Sequence, residues 1–286
     1  MLLVTGATGH IGRELAAELD ARGEPFRVLV RDAGRAATLP ARAERFVADL
    51  DRPETLAPAF AGVRGLFLLT PGIGLDQTAH ALAAARDAGV RHLVHLSSFN
   101  VLGDPMPAMG RWHHEREELV RAAGIPATTL RPGGFMTNAL DWLDTIRSDG
   151  VVLDPVGPGR FAPIDPADIA AVAALALVGR GHAGERYVLT GEQTFTVTEQ
   201  VRVLAAAIGR ELAVRPVTTP DEIVRSRFPH GAPAALAEAV VEGFALMRAD
   251  TVGFRTDTVR RLLGRAPRTF ADWCARNADR FRQAVA

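Results

Sequence analysis

The 286-residue chain carries 33 basic and 33 acidic side chains, and its arginines are scattered, which points away from nucleic acid or a membrane surface as a partner. It contains no lysine, one tyrosine and one cysteine; the lone Cys274 excludes an intrachain disulfide and a cysteine-based metal site, and suits a cytoplasmic location. No apolar run approaches the length of a membrane span, Met1 leads straight into an apolar segment with no room for a signal peptide, and no metal is expected.

Residues 2–4 read as a short buried strand, and Ile11, Leu15 and Leu19 give the following helix one apolar face. Gly6, Gly9 and Gly12 separate the two. Gly6 permits a tight turn, Gly9 lets backbone amides approach a pyrophosphate, and Gly12 lets the helix sit close on the strand. This strand–turn–helix context raises the glycine spacing to a dinucleotide site, with Thr8, His10 and Ile11 part of the same cradle.

A second strand over residues 25–31 ends in Arg31, at the distance where such a fold reads the adenosine ribose. Its planar cation suits the 2′-phosphate of NADP, with Arg35 assisting, although Asp32 follows directly and NAD stays open. Residues 45–48 form a third strand. Asp49 at its end either bonds the adenine amino group or caps the turn before Pro53. Residues 65–69 form a fourth strand, stopping at Thr70 beside the cofactor's path, and a helix covers 79–87. Residues 92–96 make a fifth strand running into Ser97 and Ser98. Alternation at this spacing predicts an α/β fold, a doubly wound parallel sheet of the Rossmann type, with ligands at the carboxyl ends of its strands.

A sixth strand over 126–130 leads into Arg131-Pro-Gly-Gly-Phe-Met-Thr-Asn138, where Pro132 fixes the exit and the glycines let backbone approach a flat ring. A helix is predicted over 139–147. Asp165 and Asp168 read as the turn and cap of an alanine-rich helix ending at Val178. Beyond a short strand at 214–217, helical stretches fall near 221–227, 232–248, 256–263 and 269–283. They form either a helical cap on the sheet or a lid whose Phe228, Phe244 and Met247 line an apolar pocket. Residues 1–150 are thus assigned to the NADP-binding Rossmann domain, its sheet and helices continuing to about 210, and 211–286 to a smaller helical substrate-binding or lid region.

Thr5-Gly-Ala-Thr-Gly-His-Ile-Gly12, Leu29-Val-Arg31, His95-Leu-Ser-Ser98, Leu130-Arg-Pro132, Phe161-Ala-Pro-Ile-Asp-Pro-Ala-Asp-Ile-Ala170 and Tyr187-Val-Leu-Thr-Gly191 together resemble the NmrA-like branch of the atypical short-chain dehydrogenase/reductases. The resemblance implies an NAD(P)-binding domain with a smaller, mostly helical substrate part. It places Pro132 and Gly133 beside the nicotinamide, and Phe135, Met136 and Asn138 toward substrate, although Met136 equally suits packing. Some such proteins reduce quinones, dyes or ketones; others are redox-sensing regulators.

Standard members of that superfamily use a serine, a tyrosine and a lysine. Ser97 or Ser98 fits the serine, but the family pattern puts Met109 where the tyrosine would stand and His113 where the lysine would. A Tyr-Lys relay is excluded by inventory, since no lysine exists and Tyr187 belongs to another strand. Ser97, Ser98 and His113 are therefore the candidate catalytic residues, His113 as a neutral imidazole bonding a ribose hydroxyl. Positioning alone supplies up to ~7–11 kcal/mol of a barrier, and general acid catalysis only about 10²–10⁴-fold. Ser97, Ser98, His113 or water then suffices as the proton source, as does a phenol neighbouring the substrate carbonyl.

The expected function is an NADPH-dependent ketoreductase acting on a cyclic or aromatic ketone, in its narrowest form an angucyclinone- or anthracycline-type polyketide in antibiotic biosynthesis. The alternatives are an NAD(P)H quinone or dye reductase and a non-catalytic NADP sensor that binds a regulator. Monomer and homodimer both remain open.

Overall fold

The computed structural model describes residues 1–282; residue 283, the expected end of the last helix, lies outside the described residues. In chain order the elements are β1 (Leu2–Val4), α1 (His10–Ala21), β2 (Phe26–Val30), β3 (Glu44–Val47), α2 (Ala57–Phe60), β4 (Gly65–Leu68), α3 (Asp76–Asp87), β5 (His92–Leu96), α4 (Ala108–Ala122) and β6 (Ala127–Pro132). There follow α5 (Leu143–Asp149), β7 (Val151–Asp154), α6 (Pro166–Val178), β8 (Arg186–Leu189), α7 (Val197–Ile208), β9 (Ala213–Pro216), α8 (Pro220–Arg227), α9 (Ala234–Arg248), α10 (Thr258–Leu263) and α11 (Phe270–Arg282).

The chain divides into two compact units that interleave in sequence. Unit 1 comprises Met1–Met106, Gly110–Pro132 and Pro166–Leu189; unit 2 comprises Pro107–Met109, Gly133–Asp165 and the chain from Thr190 onward. These limits differ from a split at 150 and 211 because the chain leaves the sheet after β6 and returns to it with α6 and β8.

Unit 1 is built on a seven-stranded sheet of order β3-β2-β1-β4-β5-β6-β8, with every pairing parallel. The strand order reverses between β1 and β4, which puts a crevice at the carboxyl end of β1. β1, β2 and β4 are buried along their whole length, the expected consequence of helices on both faces. Leu3, Leu29, Phe60, Leu66, Leu82 and Leu93 belong to one core cluster. Truncating the fully buried Phe60 to alanine would cost about 3–5 kcal/mol. The alanine-rich α6 is buried on nearly every face and packs against α1.

Unit 2 contains a feature that the sequence pattern leaves out. Residues 151–154 form β7, which pairs in parallel with β9 from Val151↔Ala213 to Asp154↔Pro216. The helix expected over 139–147 is split: Met136–Trp142 is a 3-10 turn, and the α-helix starts only at Leu143 and closes on Gly150 at φ +65°. Thr137 and Asn138 are weak helix formers, consistent with the late start. The unit's core holds Met136, Ile146, Val152, Phe270, Trp273 and Phe281. The Phe270 and Trp273 rings stack 5.7 Å apart and within 7° of parallel. Thr196 and Glu199 form a reciprocal capping box at the start of α7.

Candidate functional site

The crevice at the end of β1 is shaped by glycine. Gly6 adopts φ +65°, open to glycine and strained for other residues. A side chain at Gly12 would put its Cβ 2.2 Å from the Gly6 carbonyl oxygen, so only glycine lets α1 start this close to the strand. The N-cap residue Gly9 has no side chain to cap α1 and the first turn carries no acidic residue, which leaves that helix end suited to an anion. Thr5, fully buried, ties this loop to the end of β4. Its hydroxyl accepts from the Leu69 amide at 2.8 Å and donates to the Leu69 carbonyl at 2.9 Å.

Gly6, Thr8, Arg31, Asp49, Pro71 and Gln77 line a single groove there. Arg31 is exposed and makes no ion pair among the described residues. Asp32 does not turn toward it; its Oδ1 accepts from the Gly34 amide at 2.8 Å. Asp49 closes its own turn by accepting from the Asp51 amide at 3.1 Å while still lining the groove. Arg35 sits in a short exposed turn, and the Thr70 hydroxyl is paired with Thr78 at 3.0 Å. The Gly12 cradle, the glycine-capped helix start and the cation at the end of β2 fit a dinucleotide carrying a ribose phosphate.

Further along the same sheet edge the structure joins residues that spacing alone does not connect. Ser97, at the end of β5 and 3% exposed, donates to Glu117 Oε1 at 2.5 Å. Arg131 at the end of β6 grips the same carboxylate at both oxygens, Nε to Oε1 at 2.9 Å and a terminal nitrogen to Oε2 at 2.5 Å. Burial works against a charged Glu117, yet the bonds from Arg131 and Ser97 outweigh it and hold the carboxyl below its ordinary range. Ser98 is spent locally, its hydroxyl accepting from the Asn100 amide at 3.2 Å.

His113, on α4 with Glu117, has its Nδ1 buried and without a partner among the described residues. Burial, helped by the charge of Arg116 and opposed by Glu117, pushes its pKa down to about 4, so the ring is neutral at physiological pH. His95, in β5, is likewise buried with an unpartnered Nδ1, and burial pushes it down to about 3. Arg116 donates to the carbonyls of Gly72 and Gly74, at 2.5 and 3.1 Å, fixing the loop after β4. Thr5, Arg116, Glu117 and Arg131 carry this arrangement. For the last two, the only local signal was a charged residue at a strand end and another on the next helix.

The substrate candidates lie in unit 2 and separate there. Phe228 and Phe244 pack against the cluster of Val217, Ile223 and Val240, as does Met109. Met247 and Phe244 border the larger core, in which Met136 is buried. Asn138 is exposed, and its Oδ1 accepts from Arg227 at 3.3 Å while Arg227 also pairs with Asp141. Phe135 bridges to Ile164. Asp165, read as a turn residue, also pairs with Arg276 of α11. Among the described residues no helix is long and apolar enough to cross a membrane.

Residues 6–178 match a family model described as NAD(P)H-binding. An NAD(P)H azoreductase from Xenophilus azovorans is 37% identical over 284 residues, covering 98% of this chain and 99% of that protein. A (4-alkanoyl-5-oxo-2,5-dihydrofuran-3-yl)methyl phosphate reductase from Streptomyces griseus is 37% identical over 282 residues, with 98% and 99% covered. Among solved structures, an NADPH-dependent quinone oxidoreductase from Escherichia coli, complexed with NADPH, superposes with a TM-score of 0.82 at 25% identity, covering 96% of this chain and 99% of that one.

Proposed function

We propose, for a chain that belongs to the NAD(P)H-binding family and is an NADPH-dependent oxidoreductase of the NmrA-like atypical short-chain dehydrogenase/reductase type, that it reduces the carbonyl of a cyclic or aromatic ketone. One observation carries this reading: the serine that should face the carbonyl has its hydroxyl committed to Glu117, in a chain with no Tyr-Lys pair. NADPH, when bound, supplies the hydride. The protein's share is to position the reactants. The glycine cradle and Arg31 hold the dinucleotide, and neutral His113 offers an imidazole nitrogen to a ribose hydroxyl.

As the hydride adds to the carbonyl carbon, the π electrons pass to oxygen, which needs a proton. Ser97 is a poor donor because its hydroxyl already donates to the Glu117 carboxylate, which is ionised. The proton therefore comes from a phenol beside the carbonyl or from water. Ketones of that shape occur among angucyclinone- and anthracycline-type polyketides, which makes tailoring of such a compound in antibiotic biosynthesis the narrowest form of the proposal.

The relatives' names favour a second reading, a quinone or dye reductase with the same cofactor and looser specificity. NADPH consumption with product mass, measured against hydroxylated polycyclic ketones, quinones and azo dyes, separates the two. An alcohol from the ketone supports the first; turnover confined to quinones or dyes supports the second.

A further inference from the structure

Unit 2 contains a cleft of about 340 Å³ whose charge the reductase reading leaves unused. Phe195, half-buried, is the accessible part of its apolar wall, backed by the buried Met136 and Phe270, and Gln193, Arg255 and Arg268 form its polar side. The Phe195 and Phe270 rings lie 5.8 Å apart at 53°, and Phe270 is braced from behind by the stacked Trp273. Such a wall is preformed, and its volume falls in the range of about 300–1,000 Å³ typical of small-molecule sites.

The carboxylates nearby are occupied. Glu192, also on the lining, pairs with Arg260, and Asp272 accepts from the amide and hydroxyl of Thr269 as it caps α11. Arg255 stands apart from this. It donates one bond, to the Glu192 carbonyl at 3.1 Å, and no carboxylate pairs with it among the described residues. An exposed guanidinium with unspent donors beside an aromatic wall has the geometry for bidentate capture of a carboxylate, sulfonate or phosphate.

We propose that this cleft binds flat aromatic anions, with the ring against Phe195 and the anionic group on Arg255. The site lies wholly within unit 2 and stands whether or not the chain reduces what it holds.

Calorimetric titration of the full chain with 2-naphthoate and its neutral analogue 2-naphthamide tests this without turnover. Naphthoate should bind about tenfold more tightly at low salt, the factor expected of a hydrogen-bonded ion contact. Arg255→Gln should abolish that preference and leave naphthamide binding and NADPH binding unchanged, the latter showing that the variant is folded. Arg255→Lys should keep part of the preference, and Phe195→Ala should weaken both probes. The proposal is overturned if the wild-type chain binds the two probes equally or binds neither, or if Arg255→Gln leaves the preference intact.

Discussion

Ser97 and Glu117 share a 2.5 Å hydrogen bond in which the serine donates, and the carboxylate that receives it is held on both oxygens by Arg131. The pairing joins the ends of β5 and β6 to α4 and turns the serine's proton inward. A hydroxyl held this way has its proton engaged and is a poor donor to a substrate.

Ser97→Ala, Ser98→Ala and His113→Ala should each retain substantial turnover on the best acceptor of the panel. A side-chain acid contributes about 10²–10⁴-fold, so a loss beyond roughly a thousandfold in any one variant would identify that residue as the donor. Replacing a substrate phenol by its methyl ether should then slow reduction where the alanine variants do not.

Glu117→Gln should damage the fold more than the serine variants do. It leaves Arg131, whose side chain is 14% exposed, without its counter-charge, a loss of about 3–5 kcal/mol for a buried pair broken on one side. Ser97→Ala removes one hydrogen bond and should cost about 1–3 kcal/mol. Urea unfolding of the two variants measures the difference, and equal midpoints would show that the Arg131 bond contributes little.

Acid should weaken the chain before its carboxylates titrate. His95 and His113 are held down to about 3 and about 4 in the folded state, against an ordinary 6.5. Below pH 6.5 the unfolded chain takes up protons that the folded chain refuses, so stability falls with falling pH until the folded values are reached. Each histidine adds a slope of up to about 1.4 kcal/mol per pH unit. His92, also lowered by burial, adds its own share. Glu117 acts in the same direction only below its ordinary 4.5. His113→Gln should flatten the profile between pH 6.5 and 4.5; an unchanged slope would mean that the ring is already protonated there.

Arg31→Ala should raise the KM for NADPH by about tenfold or more, the worth of a charge-assisted bond, and leave that for NADH nearly unchanged. Because Asp32 is folded onto the Gly34 amide, it should not rescue NADH binding in that variant. Parallel losses for both cofactors would place the arginine's role elsewhere than the ribose phosphate.

Much of unit 1 was legible because its signals are local. The strand before Gly6, the spacing to Gly12 and the runs at 65–69 and 92–96 each announce themselves within a dozen residues. Glu117 and Arg131 were not legible as partners, since 14 residues and a change of element separate them and nothing in either neighbourhood specifies the other. β7 was missed for a related reason. Three apolar residues after a glycine are too few to fix a strand until β9, about sixty positions later, supplies its partner. In the helical C-terminal part, periodicity located α8 to α11 well but could not tell residues facing a ligand from residues facing each other, and Phe228 and Phe244 proved to pack in one cluster.

The excursion between β6 and α6 bears on how the chain is made. A ribosome delivers β1 to β6 first, then the whole of residues 133–165, and only afterwards α6, the helix that covers α1. Until about 190 residues have emerged, the nucleotide-binding sheet lacks its last strand, and α1 has nothing to cover the face that α6 will bury. A nascent chain stalled near residue 150 should therefore be readily cut by protease. Protection should arrive abruptly once β8 has cleared the exit tunnel, rather than growing strand by strand.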